Sequence, residues 1–197
     1  MMFLSKIAWE LLSIKLARKS LKQRDVSQLD LTDEYLSPGQ NTAGHNGFVN
    51  SLNNASGLQA KFFIESPHQL AVLWERSEPM FEGFPGIIHG GISSSLVDEL
   101  MANTIVASQN RLGVTLKLKS YYHAPIRVGE KIYGRCNITR RKDKIIVCEA
   151  FLFNEHKRVT TTSVGLFLTP SLEQFKKLVH IDIVPEELRP YLESNNE

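Results

Sequence analysis

Cysteine is scarce in this chain: two in 197 residues, Cys136 and Cys148, in no metal-ligand spacing. That excludes a disulfide-stapled secreted scaffold and a structural zinc site, and it favours a reducing compartment such as the cytoplasm. The two cysteines fall on neighbouring strand-like segments, so whether they meet depends on the register of one hairpin. An excess of one charge is missing too. With 23 basic and 21 acidic residues the net charge is +2, which gives no electrostatic footprint for nucleic acid. No apolar run is long enough to cross a bilayer. Glycine-rich nucleotide loops are absent, and Ser93, Ser94 and Ser95 do not form the Gly-x-Ser-x-Gly elbow of a serine hydrolase. His45, His68, His123, His156 and His180 show no ligand spacing, so neither metal nor cofactor is expected.

A hydrophobic content of 42% at this length is enough for one good core, and points to a single domain with appendages. In residues 1–24, Phe3, Leu4, Ile7, Leu11 and Ile14 gather on one stripe at helical spacing. Ala8, Trp9, Leu12 and Leu16 widen the stripe, and Lys15, Arg18, Lys19, Lys22 and Arg24 make the second half basic. Such an amphipathic helix either packs on the domain or on a partner subunit, the commoner use, or makes a peripheral contact with a membrane. Residues 25–57 are polar and rich in breakers, and read as linker and loop.

Residues 58–170 carry the domain. Strand-like runs at 58–65 and 69–76 precede a loop, then a long helix over 90–108 with Ile92, Leu96, Leu100 and Ile105 at helical spacing. Four more strand-like runs follow, at 114–122, 131–139, 145–153 and 159–168, joined by short polar turns that imply antiparallel neighbours. The pattern predicts an α+β fold, an antiparallel sheet of about six strands wrapped round one long central helix. Residues 171–197 read as a helical turn and a polar tail.

The informative stretch runs from Phe81 through His89-Gly90-Gly91 to Asp98-Glu99. Two side-chain-free residues stand where the central helix begins. There the first N–H groups have no acceptor within the helix, and the helix dipole adds positive potential. A substrate carbonyl can approach such a backbone closely, which makes an oxyanion site at Gly90. Asp98 lies eight residues on, roughly 12 Å along the same helix, too far to act on a group held at Gly90. If both serve one reaction, Asp98 must work with the Gly90 of a second chain, in a dimer with two composite sites.

This pattern resembles the hotdog-fold acyl-CoA thioesterases of the PaaI-like group. The resemblance rests on Gly83-Phe84-Pro85-Gly86, His89-Gly90-Gly91 and an aspartate nine residues after the histidine, in that order. It extends to Gly113 through Leu118 and to Tyr121-Tyr122-His123-Ala124-Pro125 with Gly129, and covers residues 47–168. It implies a hotdog fold, dimers joined sheet edge to sheet edge, and further association into tetramers. It implies that Asp98 is the catalytic carboxylate, as nucleophile or as general base on water. The Gly90 amide polarises the thioester carbonyl, His89 shapes or donates to that pocket, and Thr115 positions the water or the carboxylate. Gly91 and Glu99 support the site. The sequence departs from relatives that carry a Cys-x-x-Cys-Gly stretch, so any role tied to those cysteines is absent. Gly83 stands where other hotdog thioesterases place an amide side chain, so electrophilic help is expected from the backbone alone.

Phe84, Ile87, Ile88 and Met101 either line an acyl pocket or belong to the core. Arg141 and Lys142, with Arg140 and Lys144, either grip coenzyme A phosphates or form a solvated turn. The reading that follows is hydrolysis of an acyl-CoA without metal or redox cofactor. A non-catalytic acyl-ligand binder is the alternative. A hotdog dehydratase or hydratase is disfavoured, because the histidine sits in His-Gly-Gly and the Gly-His-Phe-Pro loop of those enzymes is lacking.

Overall fold

The computed structural model describes residues 29–38 and 45–193; the amphipathic segment 1–24 lies outside the described residues. Nine strands and three helices run in the order β1 (Glu34–Tyr35), β2 (Lys61–Ser66), β3 (Gln69–Trp74), β4 (Glu82–Phe84), β5 (Ile87–Ile88), α1 (Gly90–Gln109), β6 (Val114–Tyr122), β7 (Ile132–Lys142), β8 (Ile145–Asn154), β9 (Val159–Leu168), α2 (Leu172–Val179) and α3 (Pro190–Glu193). Seven strands form one antiparallel sheet in the order β1-β2-β3-β7-β8-β9-β6, and β4 and β5 make a small separate hairpin. All six expected strands are present. Segment 25–57, expected to be loop throughout, supplies the two-residue β1, which pairs with β2 through Glu34↔Phe63 and Tyr35↔Phe62. The expected C-terminal helical turn is a fuller element, the eight-residue helix α2 opened by a Ser171–Gln174 capping box.

The sheet wraps α1 because alternation and helical periodicity put matching apolar faces together. Ile132, Cys136, Ile146, Cys148, Ala150, Leu152 and Phe167 face the helix, which returns Leu96, Val97, Leu100, Met101 and Ile105, each fully buried. Each Leu, Ile, Val, Met or Phe side chain among them stabilises the fold by about 1.5–3 kcal/mol when removed from water. The absence of a side chain at Gly165 lets α1 come close: a Cβ there would stand 2.6 Å from the Met101 sulfur and 2.5 Å from the Phe167 ring. Helix α1 ends at Asn110, whose left-handed backbone (φ 51) lets its N–H reach the Val106 carbonyl at 2.9 Å.

Register sets the two cysteines side by side without pairing them directly across the strands. Cys136 pairs with Ala150 and Cys148 with Ile138, so the thiols sit diagonally; both are free and buried. Burial pushes the Cys148 thiol well above its ordinary value, with Cys136 beside it adding to the shift. No helix among the described residues is long and apolar enough to cross a membrane.

Candidate active site

The start of α1 is fixed from three sides. The β4–β5 hairpin turns at Gly86, whose φ of +75 suits glycine, and Glu82 Oε1 accepts from the Gly86 N–H at 3.0 Å. The hairpin is fastened to the segment after β6: Ile88 N–H donates to Ile126 C=O at 2.9 Å, and Val128 N–H to Gly86 C=O at 3.1 Å. His89 N–H donates to Phe81 C=O at 2.8 Å, and Phe81 itself packs edge-on against Trp74 and Phe48.

His89 is the N-cap of α1. Its Nδ1 accepts from the Gly91 N–H at 2.9 Å, which leaves Nε2 as the protonated nitrogen of the neutral ring. The Gly91 amide is therefore taken. The Gly90 amide, first in the helix, has no acceptor within it and is the group free to bind an oxyanion. Two hollows flank His89. One, of about 430 Å³, is lined by Phe84, Ile87, Ile88, Gly90, Tyr122 and Pro125; the other lies between Phe48, Met80, Ile92 and Ser95. Phe84 is 74% exposed at the mouth of the first, whereas Ile88 serves both cleft and core. Met101 is wholly core.

Gly83 has a structural reason for lacking a side chain. A Cβ there would fall 2.9 Å from His89 Cδ2 and 3.1 Å from His89 Cα, so an amide side chain at this position would displace the histidine.

Asp98 lies two turns along α1, half-buried, and Thr115 Oγ1 donates to its Oδ1 at 2.9 Å. Burial raises the Asp98 carboxyl above its ordinary value, and the Thr115 hydrogen bond opposes that shift. Thr115 sits at the start of β6 and Tyr122 at its end, so the strand links the two halves of the site. Seven residues of extended chain separate them by roughly 24 Å. The structure thus brings Asp98 to Thr115, and His89 to Gly90, Gly91, Phe84 and Ile88, but leaves the two groups apart within one chain.

Glu99 turns away from Asp98 into a cluster that the sequence alone did not disclose. Its Oε1 accepts from Asn50 Nδ2 at 3.0 Å and from Asn103 Nδ2 at 3.1 Å, and His45 Nε2 stands 3.5 Å from Asn50 Oδ1. Burial pushes the Glu99 carboxyl up, the Asn103 bond lowers it and the nearby Asp98 charge raises it again. Asn103 lies one turn after Glu99 and was within reach of helical arithmetic; Asn50 is 49 residues distant and was not. The cluster ties loop 45–58 to α1. Glu99→Ala leaves the buried Asn50 amide without this acceptor, while Asn103 Nδ2 keeps its bond to the Glu99 C=O at 3.0 Å; the change is expected to cost about 1–3 kcal/mol in urea unfolding, whereas Glu99→Gln keeps the acceptor and most of the stability. Equal losses in both variants would show that charge, not the hydrogen bonds, is what matters.

Arg141 and Lys142 lie on the β7–β8 hairpin at the far end of α1 from Gly90. Both are exposed, and Arg141 Nη1 donates to Gln109 Oε1 at 2.5 Å. Among the described residues no group of three or more His, Cys, Asp or Glu side chains gathers as metal ligands.

The sequence model of the Thioesterase superfamily matches residues 85–161, a span that holds His89, Gly90, Asp98 and Thr115. No curated protein sequence matches the chain. Among solved structures, thioesterase superfamily member 2 from Mus musculus aligns with a TM-score of 0.53 at 18% identity, over 57% of this chain and 84% of that one. The PaaI protein of the E. coli phenylacetic acid degradation operon gives 0.52 at 17%, over 56% and 83%. A hypothetical thioesterase protein from Streptococcus pneumoniae, in a structure with coenzyme A, gives 0.51 at 16%, over 63% and 94%. The curled sheet, the His-Gly-Gly helix start and the family model point the same way: the chain has a hotdog fold similar to that of PaaI, and its residues 85–161 match the Thioesterase superfamily.

Proposed function

We propose that the protein is an acyl-CoA thioesterase working as a two-fold dimer, Asp98 of one subunit acting on a thioester carbonyl held at the Gly90 amide of the other. One observation carries this reading. Strand β6 is the last of its sheet, with no neighbour on its outer edge among the described residues; at one end it carries Thr115, which holds Asp98 of the helix, and at the other Tyr122, which lines the Gly90 cleft. Antiparallel pairing of two copies along β6 lays the start of each strand beside the end of the other. That brings each Asp98 to a Gly90 and completes two sites.

Thr115 holds the Asp98 carboxylate, which takes a proton from a water molecule as the water oxygen bonds to the carbonyl carbon. The resulting oxyanion rests on the Gly90 N–H. Collapse breaks the carbon–sulfur bond, and the departing thiolate recovers the proton, giving a carboxylic acid and free coenzyme A. Direct attack by Asp98, through an anhydride that water then opens, uses the same groups. A carboxyl raised by burial is a better base than an ordinary aspartate, which favours the water route. Structural neighbours determined with coenzyme A or acetyl-CoA support the ligand class.

Thiol release from short, medium, long-chain and aromatic acyl-CoAs tests the proposal, alongside the molecular mass in solution. Turnover of at least one substrate by a dimer or a higher even oligomer is the expected result. Silence across the panel, with coenzyme A nonetheless stabilising the fold, would make the protein an acyl-ligand binder.

A further inference from the structure

The first hollow contains a second hydrogen-bond donor besides the Gly90 amide. Tyr122, the last residue of β6, lays its ring over Gly90: a Cβ on that glycine would stand 3.4 Å from Tyr122 Cε1 and 3.8 Å from its hydroxyl oxygen. The hydroxyl is anchored from the helix, with Ser94 Oγ at 2.7 Å. Tyr122 is nonetheless 56% exposed, so its phenol borders open space and is not locked in the core. It lines the same hollow as Gly90 and His89.

These positions answer a gap left at Gly83. An oxyanion is best held by two donors, and Gly83, which lines the same hollow, supplies no side chain. Nor does the space allow one, since a Cβ at Gly83 meets His89. His89 Nδ1 and the Gly91 amide are committed to each other, which leaves the histidine its Nε2–H alone. Of the side chains lining the hollow, Tyr122 is the one whose hydroxyl lies beside Gly90.

We propose that the Tyr122 hydroxyl is the second oxyanion donor, with Ser94 as its positioning residue. Ser94 donates to the phenol oxygen, which leaves the phenol O–H directed at the substrate carbonyl. No proton is transferred to or from Tyr122; it stabilises negative charge as the carbonyl carbon becomes tetrahedral. This role rests on the thioesterase reading and on the composite dimer that closes the cleft.

The test compares wild type, Asp98→Asn, Tyr122→Phe, Ser94→Ala and Ser94→Thr on whichever acyl-CoA of the panel is turned over, with kcat and KM resolved. Tyr122→Phe keeps the ring over Gly90 and removes only the donor. It is expected to lower kcat about 10- to 100-fold with KM changed less than about threefold, and to leave dimer mass and thermal unfolding unchanged. Ser94→Ala gives a smaller fall in kcat, and Ser94→Thr, which keeps the hydroxyl, restores it. An unchanged kcat in Tyr122→Phe, or a raised KM alone, would overturn the assignment and make Tyr122 a wall of the pocket. That outcome is distinct from failure of the thioesterase reading, in which wild type itself releases no thiol and the role of Tyr122 falls with it.

Discussion

Asp98→Asn is expected to lower kcat by about 10³-fold or more while leaving the fold and the dimer intact. General acid–base assistance contributes about 10²–10⁴-fold in enzymes, and a displaced nucleophile costs at least as much. Asparagine still accepts the hydrogen bond from Thr115 that holds the side chain in place, so the loss isolates the charge and basicity of the carboxylate. Retained turnover would remove Asp98 from the reaction and with it the composite site.

The same substitution is expected to stabilise the protein at neutral pH. Burial raises the Asp98 carboxyl in the fold above the unfolded value of about 3.9. Between these two values the native state binds more protons than the unfolded state, so stability falls as pH rises through that window, and the cost is fully present above it. Asparagine carries no charge to desolvate. Asp98→Asn should therefore unfold at a higher temperature than wild type at pH 7.5, and the gap should shrink towards pH 3.5. Activity moves the opposite way: the acidic limb of kcat/KM should lie above the range of an ordinary aspartate, because the working form is the carboxylate. A variant less stable than wild type at pH 7.5 would mean that the Asp98 charge has a favourable partner in the dimer.

Long periodic elements were legible in the sequence because their burial patterns repeat. The central helix expected over 90–108 is Gly90–Gln109, and each of the six main strands lies within a few residues of its expected place. Strand β1 was not legible, since two residues in a polar segment carry no period; only pairing to Phe62 and Phe63 defines it. The β4–β5 hairpin lies inside a proline- and glycine-rich stretch that reads in sequence as loop. At the site, His89, Gly90, Asp98 and Thr115 came from a local motif and its downstream continuation. Asn50 and Ser94–Tyr122 depend on contacts spanning 49 and 28 residues, which no local spacing encodes.

Mixed dimers should regain activity that neither parent has. The complementing variant is Gly90→Pro, which deletes the proposed oxyanion N–H and puts the proline ring in its place. Proline is well suited to the first position of a helix, where the N–H has no partner within it. The preceding residue must be extended, and His89 is, at φ −61 and ψ 135. A Cβ at Gly90 also fits, at 3.4 Å from the Tyr122 ring. Gly90→Pro should thus fold, dimerise and lose about 10²–10³-fold in kcat. Combined with Asp98→Asn by unfolding and refolding the two together, half of the dimers become heterodimers. Each heterodimer pairs the intact Asp98 of one subunit with the intact Gly90 of the other, and loses both groups at its second site. The mixture should therefore recover about a quarter of the wild-type rate per chain, the yield expected of random pairing in a two-fold dimer. A site contained within one chain predicts no recovery at any mixing ratio. The experiment thus separates a shared site from a private one, and it does so through the position that the unpaired edge of β6 assigns to each half.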